Sequence, residues 1–393
     1  MNNFDCKTLE KKVEEVMPDL IQLRRNLHQE PELGWLEYRT TEKIIEFLNK
    51  YKIDRIFRPL KTGLVAEIIN HPDSPFIGIR ADIDGLPIPD EKSVDYRSRC
   101  EGISHACGHD FHTAVVCGLA AIIQSYRRDL KYNLRFIFQP AEEPIPSGAP
   151  RMIEKGVLKD IQTIWTWHVE PALPLGTIGL MSGWVNAQSI KLDWEIKGKA
   201  GHSARPGLAH NPISAASYMV QKIEDYFAEL GIHHKFPAVM AFTKIQSRGD
   251  AYNAIPEQAE VGGTLRITEP DKKDLYTEIM QDITQHTEKK YGVHVASHIL
   301  VGSPPVLNDA SIVGRFLQNL EKLKCKEFEI VKHERSMGGE DFGWYSMKVP
   351  SALVRFGTAL EGKAPAVHTG LFDAPEEIIS FAVSFFLHQI LQW

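Results

Sequence analysis

Phe76-Ile77-Gly78-Ile79-Arg80-Ala81-Asp82-Ile83-Asp84 is a mostly apolar run that closes on two aspartates. Residues 76–82 have the near-continuous apolar character of a strand covered on both faces, and the carboxylates fall where the strand gives out. Two more β-type runs end in the same way. Residues 133–139 lead into Pro140-Ala141-Glu142-Glu143, and residues 162–168 close on His168. A fourth run spans 64–70, and a helix of small apolar residues is expected over 112–126. Strands alternating with helices predict an α/β/α layer around a mostly parallel, buried sheet. In such sheets ligands sit beyond the carboxyl ends of strands. Three strand ends that each deliver a metal-type residue therefore describe one site.

Residues 8–50 read as two helices: Leu20, Leu23 and Leu27 recur at helical spacing, Glu30-Pro31-Glu32-Leu33-Gly34 breaks the pattern, and Ile44, Ile45 and Leu48 resume it. The character changes near Trp184. A strand over 191–197, a helix over 212–230, strands over 238–246 and 259–267, a helix over 271–291 and a strand over 294–301 follow in turn. That β-α-β-β-α-β order is the pattern of a ferredoxin-like α+β domain inserted into the first. The expected division is a catalytic domain of 1–186 and 303–393 around an insert of 187–302. A strand over 352–356 and an amphipathic helix over 375–391 complete the first domain.

The chain has 393 residues, 43% of them hydrophobic and 24% charged, which suits a globular protein of about two or three domains. A net charge of −6 argues against a broad nucleic-acid footprint and leaves small polar substrates open. No apolar run approaches the ~18–20 residues that span a bilayer, and Met1–Asp5 lacks a basic signal-peptide start. The five cysteines (Cys6, Cys100, Cys107, Cys117 and Cys325) are few, odd in number and unpatterned, so a reducing, cytoplasmic setting is expected.

Chemistry concentrates in Ser104-His105-Ala106-Cys107-Gly108-His109-Asp110-Phe111-His112. Cys107 and His109, two apart, offer one ion a thiolate and an imidazole. Glu142 and Glu143 cannot both point the same way, so one suits a metal and the other a water as general base. Alone, such a pair is an ordinary solvated acidic patch; its place after an apolar strand changes its meaning. His168 and His368 are each unremarkable by themselves. In the insert, Gly201-His202 suits a turn that presents the imidazole. Asn253, within Asn253-Ala254-Ile255-Pro256, and Arg266, within Gly263-Thr264-Leu265-Arg266, supply an amide and a guanidinium suited to a substrate carboxylate.

Taken in order, these motifs resemble the aminoacylase-like amidohydrolases, a branch of the dinuclear metallopeptidases related to carboxypeptidase G. That branch includes hippurate hydrolase, N-acetyldiaminopimelate deacetylase and the plant indoleacetyl-amino-acid hydrolases. The resemblance runs from Arg80-Ala81-Asp82-Ile83-Asp84 through His105–Asp110, Phe138–Glu143, Trp167-His168-Val169 and Gly176–Gly179. It continues through Gly201-His202, Asp250–Pro256, Gly263–Arg266 and Met337-Gly338-Gly339-Glu340-Asp341 to His368. It implies two divalent metal ions per subunit on Cys107, His109, Glu143, His168 and His368, zinc or manganese with cobalt or nickel as further options. Glu142 would be the general base, Asp84 an orienting aspartate and His202 the oxyanion donor, with Asn253 and Arg266 holding the substrate carboxylate. The implied reaction is hydrolysis of an N-acyl-L-amino acid to a carboxylic acid and a free amino acid, by a metal-activated water. The implied assembly is a homodimer or higher homo-oligomer formed through the insert, acting on a small molecule without nucleic acid or membrane.

This chain departs from the family's usual pattern at Pro144-Ile145-Pro146, at Pro206-Gly207 and after His368, where Thr369-Gly370-Leu371-Phe372-Asp373 follows. These departures bear on the substrate rather than the reaction. A di- or aminopeptidase of the same clan remains the alternative, with Glu340 as the candidate anchor for a free amine. A thiol hydrolase using Cys107 beside His105 or His109, and a binding protein with a vestigial site, are the readings from other classes.

Overall fold

In the computed structural model, which describes residues 6–234, 238–322, 328–331 and 333–393, the apolar runs pair into one eight-stranded sheet. Its order is Arg55–Phe57, Leu64–Ile68, Asn133–Gln139, Phe76–Asp82, Ile161–Pro174, Ser351–Ala359, Thr177–Gly179, Glu329–Val331. The four central strands, from Asn133–Gln139 to Ser351–Ala359, run parallel. Leu64–Ile68 is antiparallel to Asn133–Gln139, Arg55–Phe57 is antiparallel to Leu64–Ile68, and Thr177–Gly179 is antiparallel to Ser351–Ala359. The sheet is therefore mixed: parallel across its four central strands and again at one edge, where Glu329–Val331 pairs parallel with Thr177–Gly179. The link 58–63 between the first two strands is too short for the crossover that a parallel pair needs.

Strands Phe76–Asp82 and Asn133–Gln139 are buried along their whole length, as their mostly apolar sequences lead one to expect. Helix His109–Tyr126 packs against helices Cys6–Gln29 and Glu377–Leu391. Gly118 permits the close approach: a Cβ there would lie 2.7 Å from Leu20 Cδ1. The last helix is not amphipathic as expected. It is buried along most of its length, with Phe385 and Phe386 against Phe356 and Phe316, because it is covered on several sides.

The chain divides into two compact units: Met1–Gly183, Val306–Glu334 and Asp341–Trp393 form one, and Trp184–Pro305 with Arg335–Glu340 form the other. Residues 335–340, expected in the first domain, cluster with the second unit, where Ala187 N–H donates to Gly338 O (3.2 Å) and Ser336 N–H to Val185 O (3.0 Å). The second unit has an antiparallel sheet in the order Ala238–Ser247, Gln258–Ile267, Gln188–Lys197, His294–Val301. In Gln188–Lys197 the inward positions Ile190, Leu192, Trp194 and Ile196 are buried in alternation. They pack with Met219 and Ile223 of helix Pro212–His234 and Met280 of helix Lys273–Tyr291, a core separate from that of the first unit. Among the described residues, no helix is long and apolar enough to cross a membrane.

Candidate metal centre

Beyond the end of strand Phe76–Asp82, Asp84 turns inward and is almost fully buried. Its Oδ1 (3.1 Å) and its carbonyl oxygen (3.0 Å) both lie within reach of His109 Nδ1, and its Oδ2 accepts the Glu143 N–H at 3.1 Å. A proton on Nδ1 directed at Asp84 leaves the lone pair of His109 on Nε2, the atom that faces the site. One aspartate thus orients two of the expected ligands.

Gly108 sits between Cys107 and His109 with φ +81°, and a Cβ there would lie 2.9 Å from Val169 Cγ2. Glycine allows the chain to turn into helix His109–Tyr126 while both flanking side chains face one place. His168 lies within strand Ile161–Pro174 rather than at its end, because Ser351–Ala359 keeps pairing beyond Arg355, the partner of His168. His368 comes from a loop, held at φ +62° with its N–H donated to Ala106 O at 2.7 Å. A histidine in this left-handed conformation is a local strain that recurs at functional sites.

These elements bring all five expected ligands together. Cys107, His109 and His168 form one set of converging donor atoms, Cys107, Glu143 and His368 a second, and His109, Glu142 and Glu143 a third. Cys107 Sγ is 3.4 Å from His168 Nε2, and Glu143 Oε1 is 3.4 Å from His368 Nε2 and 3.9 Å from His109 Nε2. Ligands sharing one tetrahedral ion at zinc-like bond lengths lie about 3.3–3.7 Å apart. His109 Nε2 and Glu143 Oε1 are buried with no hydrogen-bond partner, an arrangement that a cation satisfies. The donor set fits two divalent cations, and its overlapping members suit neighbouring ions.

The electrostatics agree. Burial, followed by His112 and Arg355, pushes His168 well down, so its imidazole is neutral and able to ligate. Cys107, and then the Glu143 carboxylate beside its ring, push His368 up to about 10: anionic ligand types converge there, and a divalent cation neutralises them. Burial, followed by Glu143, pushes the Cys107 thiol up.

Glu142 lies on the same turn as Glu143 but meets a different group, the backbone N–H of Asp341, which reaches its Oε1 at 3.3 Å. The turn is braced from behind. Ala141, at φ +54°, donates its N–H to Glu37 Oε1 at 2.7 Å, and its carbonyl accepts the Gly148 N–H at 2.7 Å.

The remaining expected residues belong to the second unit. His202 is exposed, and its Nδ1 accepts the Ala204 N–H at 3.1 Å, which assigns the ring proton to Nε2. Residues 201–202 pair with Ala254–Ile255, and the Ser203 N–H donates to Asn253 O at 3.0 Å, so His202 and Asn253 share one two-stranded tip. Arg266, on strand Gln258–Ile267, donates from Nη1 to Met337 O at 2.8 Å.

Sequence reasoning missed the layer beneath the ligands. Arg24 is fully buried and donates to Asp110 Oδ2 (2.9 Å) and Asp373 Oδ1 (2.6 Å). His28 bridges Asp110 (2.7 Å) and Asp90 (3.2 Å). Asp110 adjoins His109, so this cluster secures the start of helix His109–Tyr126. A charged residue on the otherwise apolar stripe of Leu20, Leu23 and Leu27 was the available signal.

Comparison with known proteins agrees with this geometry. The model of peptidase family M20/M25/M40 matches residues 78–392, and the chain belongs to that family. It is 37% identical to N-acetylcysteine deacetylase of Bacillus subtilis, over 93% of this chain and 94% of that protein. It is 31% identical to N-acetyldiaminopimelate deacetylase of Priestia megaterium, over 93% and 96%. Among solved structures, a dinuclear metal-binding peptidase of the M20 family from Bacillus subtilis matches with a TM-score of 0.83 and 34% identity, over 96% of this chain and 98% of that one.

Proposed function

We propose that this chain is a metal-dependent amidohydrolase that cleaves N-acyl-L-amino acids to a carboxylic acid and the free amino acid, with acetyl-sized acyl groups as preferred substrates. The observation that carries the reading is the convergence of Cys107, His109, Glu143, His168 and His368, with Glu142 beside them on the same turn. The deacetylase relatives support the acyl-amino-acid class and the small acyl group. Bound by these ligands, divalent cations supply Lewis-acid polarisation of the amide carbonyl and acidify a water. Glu142 removes the proton of that water and returns it to the leaving nitrogen, so that the amine departs neutral.

We assign His202 to the carbonyl oxygen: its Nε2–H is a donor matched to charge that grows there during attack. Losing such a donor typically costs about 2.7–4 kcal/mol of barrier. Asn253 and Arg266 are assigned to the substrate α-carboxylate. A Cys107 nucleophile is disfavoured, because burial raises its thiol where a nucleophile needs it lowered. We read the second unit as a ferredoxin-like lid through which the chain forms a homodimer, a reading that its β-α-β-β-α-β order supports. Cytoplasmic placement is supported by Cys100, Cys107 and Cys117, which are free thiols.

Amine release from a panel of N-acyl amino acids and dipeptides, with metal-stripped protein and with Zn²⁺, Mn²⁺ or Co²⁺ restored, tests the function. Metal-restored release from N-acetyl amino acids is expected. Release from dipeptides alone would make the chain a peptidase, and no release with any metal would overturn the enzyme reading.

A further inference from the structure

A buried polar path joins the two halves of the site beneath the ligands. Arg80, on strand Phe76–Asp82, is fully buried, and its guanidinium contacts Asp82, Asp341 and Gln139. Nη1 donates to Asp82 Oδ2 (2.6 Å), Nη2 to Asp341 Oδ1 (2.6 Å) and Nε to Gln139 Oε1 (3.0 Å). Gln139 returns its amide Nε2 to Asp341 Oδ2 at 2.7 Å, and the Ala149 N–H donates to the same oxygen at 3.1 Å. The Asp341 carboxylate is therefore an acceptor for three donors from three elements, which fixes the residue in place. Its own N–H reaches Glu142 Oε1 at 3.3 Å. The other arm of the path runs from Asp82 Oδ1 to His112 Nδ1 (2.6 Å), and His112 Nε2 accepts the N–H of Val169, next to the ligand His168, at 3.3 Å.

We propose that Arg80, Gln139 and Asp341 are positioning residues for Glu142: they clamp the peptide that donates to Glu142 and so set the rotation of its carboxylate. The inference rests on the reading of Glu142 as the general base. Asp341 is the first residue of the catalytic unit after Arg335–Glu340, which cluster with the second unit. The peptide that carries its N–H lies at that junction, where no strand or helix fixes it. The side-chain clamp supplies the missing constraint. Stability alone gives a weak reason for burying Arg80 between Asp82 and Asp341, because apolar residues of similar volume often replace such groups at no loss. Geometry gives a stronger one, since misplacing a reacting group by about 1 Å can cost about 100-fold in rate.

The test uses Asp341→Asn and the charge-neutral Gln139→Met, each alone and combined with Glu142→Asp, whose shortened carboxylate cannot keep the same contact. Turnover, KM, bound metal and Tm are measured for every variant. Asp341→Asn is expected to lower kcat about 10- to 100-fold with KM and metal content unchanged. Gln139→Met should lower kcat in the same direction by less. In the Glu142→Asp background both losses should largely disappear, because residues acting as one unit are not additive. Undiminished losses in that background, unchanged kcat in both single variants, or a fall that tracks lost metal would overturn the inference. If Asp341→Asn fails to fold, Gln139→Met decides alone. Glu142→Gln, run alongside, separates the two levels. An inactive Glu142→Gln with indifferent Gln139→Met and Asp341→Asn defeats the clamp only, whereas an active Glu142→Gln defeats the base assignment and the clamp together.

Discussion

Glu142 and Glu143 are neighbours of one residue type, and their surroundings divide them. Glu143 has its backbone held by Asp84 and its Oε1 turned to His368 and His109, whereas Glu142 takes the N–H of Asp341. Glu142→Gln should therefore abolish amide hydrolysis while bound metal, read by elemental analysis, stays at the wild-type level; persistent turnover would remove Glu142 from the base role. Cys107 is different, because it belongs to two of the donor sets. Cys107→Ser should lose metal to a competing chelator at lower chelator concentration than wild type, and equal retention would take Cys107 out of the ligand set. The converging donor cluster was legible because His105–His112 compresses several metal-type side chains into one short segment. Arg24, His28 and Glu37 were not, since their meaning lies in partners 86, 82 and 104 residues away.

Helix Tyr38–Lys50 begins at Glu37, so one residue couples the helix start to the turn that carries Glu142 and Glu143. Burial, with Asp84 adding to it, pushes the Glu37 carboxyl up from 4.5 to about 7. A folded-state value above the unfolded one means that the fold favours the protonated acid. That contribution is full below the ordinary carboxyl range and fades as pH rises through about 7. Glu37→Gln has no proton to lose. Its Tm relative to wild type should therefore improve as pH is raised from about 5 to about 8, and parallel Tm curves would show that Glu37 does not titrate there. Element boundaries followed the same logic of what is local. Phe76–Asp82 and Asn133–Gln139 were readable from their mostly apolar sequence. The three-residue strands Arg55–Phe57, Thr177–Gly179 and Glu329–Val331 carry too little pattern to be seen, and are strands only because neighbours in the sheet pair with them.

The chain forms two units with separate cores. On the proposed reading, Arg266→Ala should raise KM by about 10- to 100-fold for substrates with a free α-carboxylate, the worth of a charge-assisted hydrogen bond. Matched α-amides should be little affected, and equal losses for acid and amide would remove Arg266 from carboxylate recognition. The change of pattern near Trp184 is abrupt, whereas Arg335–Glu340, which cluster with the second unit, join it by backbone hydrogen bonds that leave no apolar period. The order of strands also bears on how the chain is made. Ile161–Pro174 pairs on one side with Phe76–Asp82 and on the other with Ser351–Ala359. A ribosome therefore emits every strand of the second unit's sheet before the central gap of the first is filled. Until Ser351–Ala359 emerges, Ile161–Pro174 offers an open apolar edge, so premature termination anywhere upstream of it should yield aggregating product, and nascent chains should depend on chaperones until translation is nearly complete.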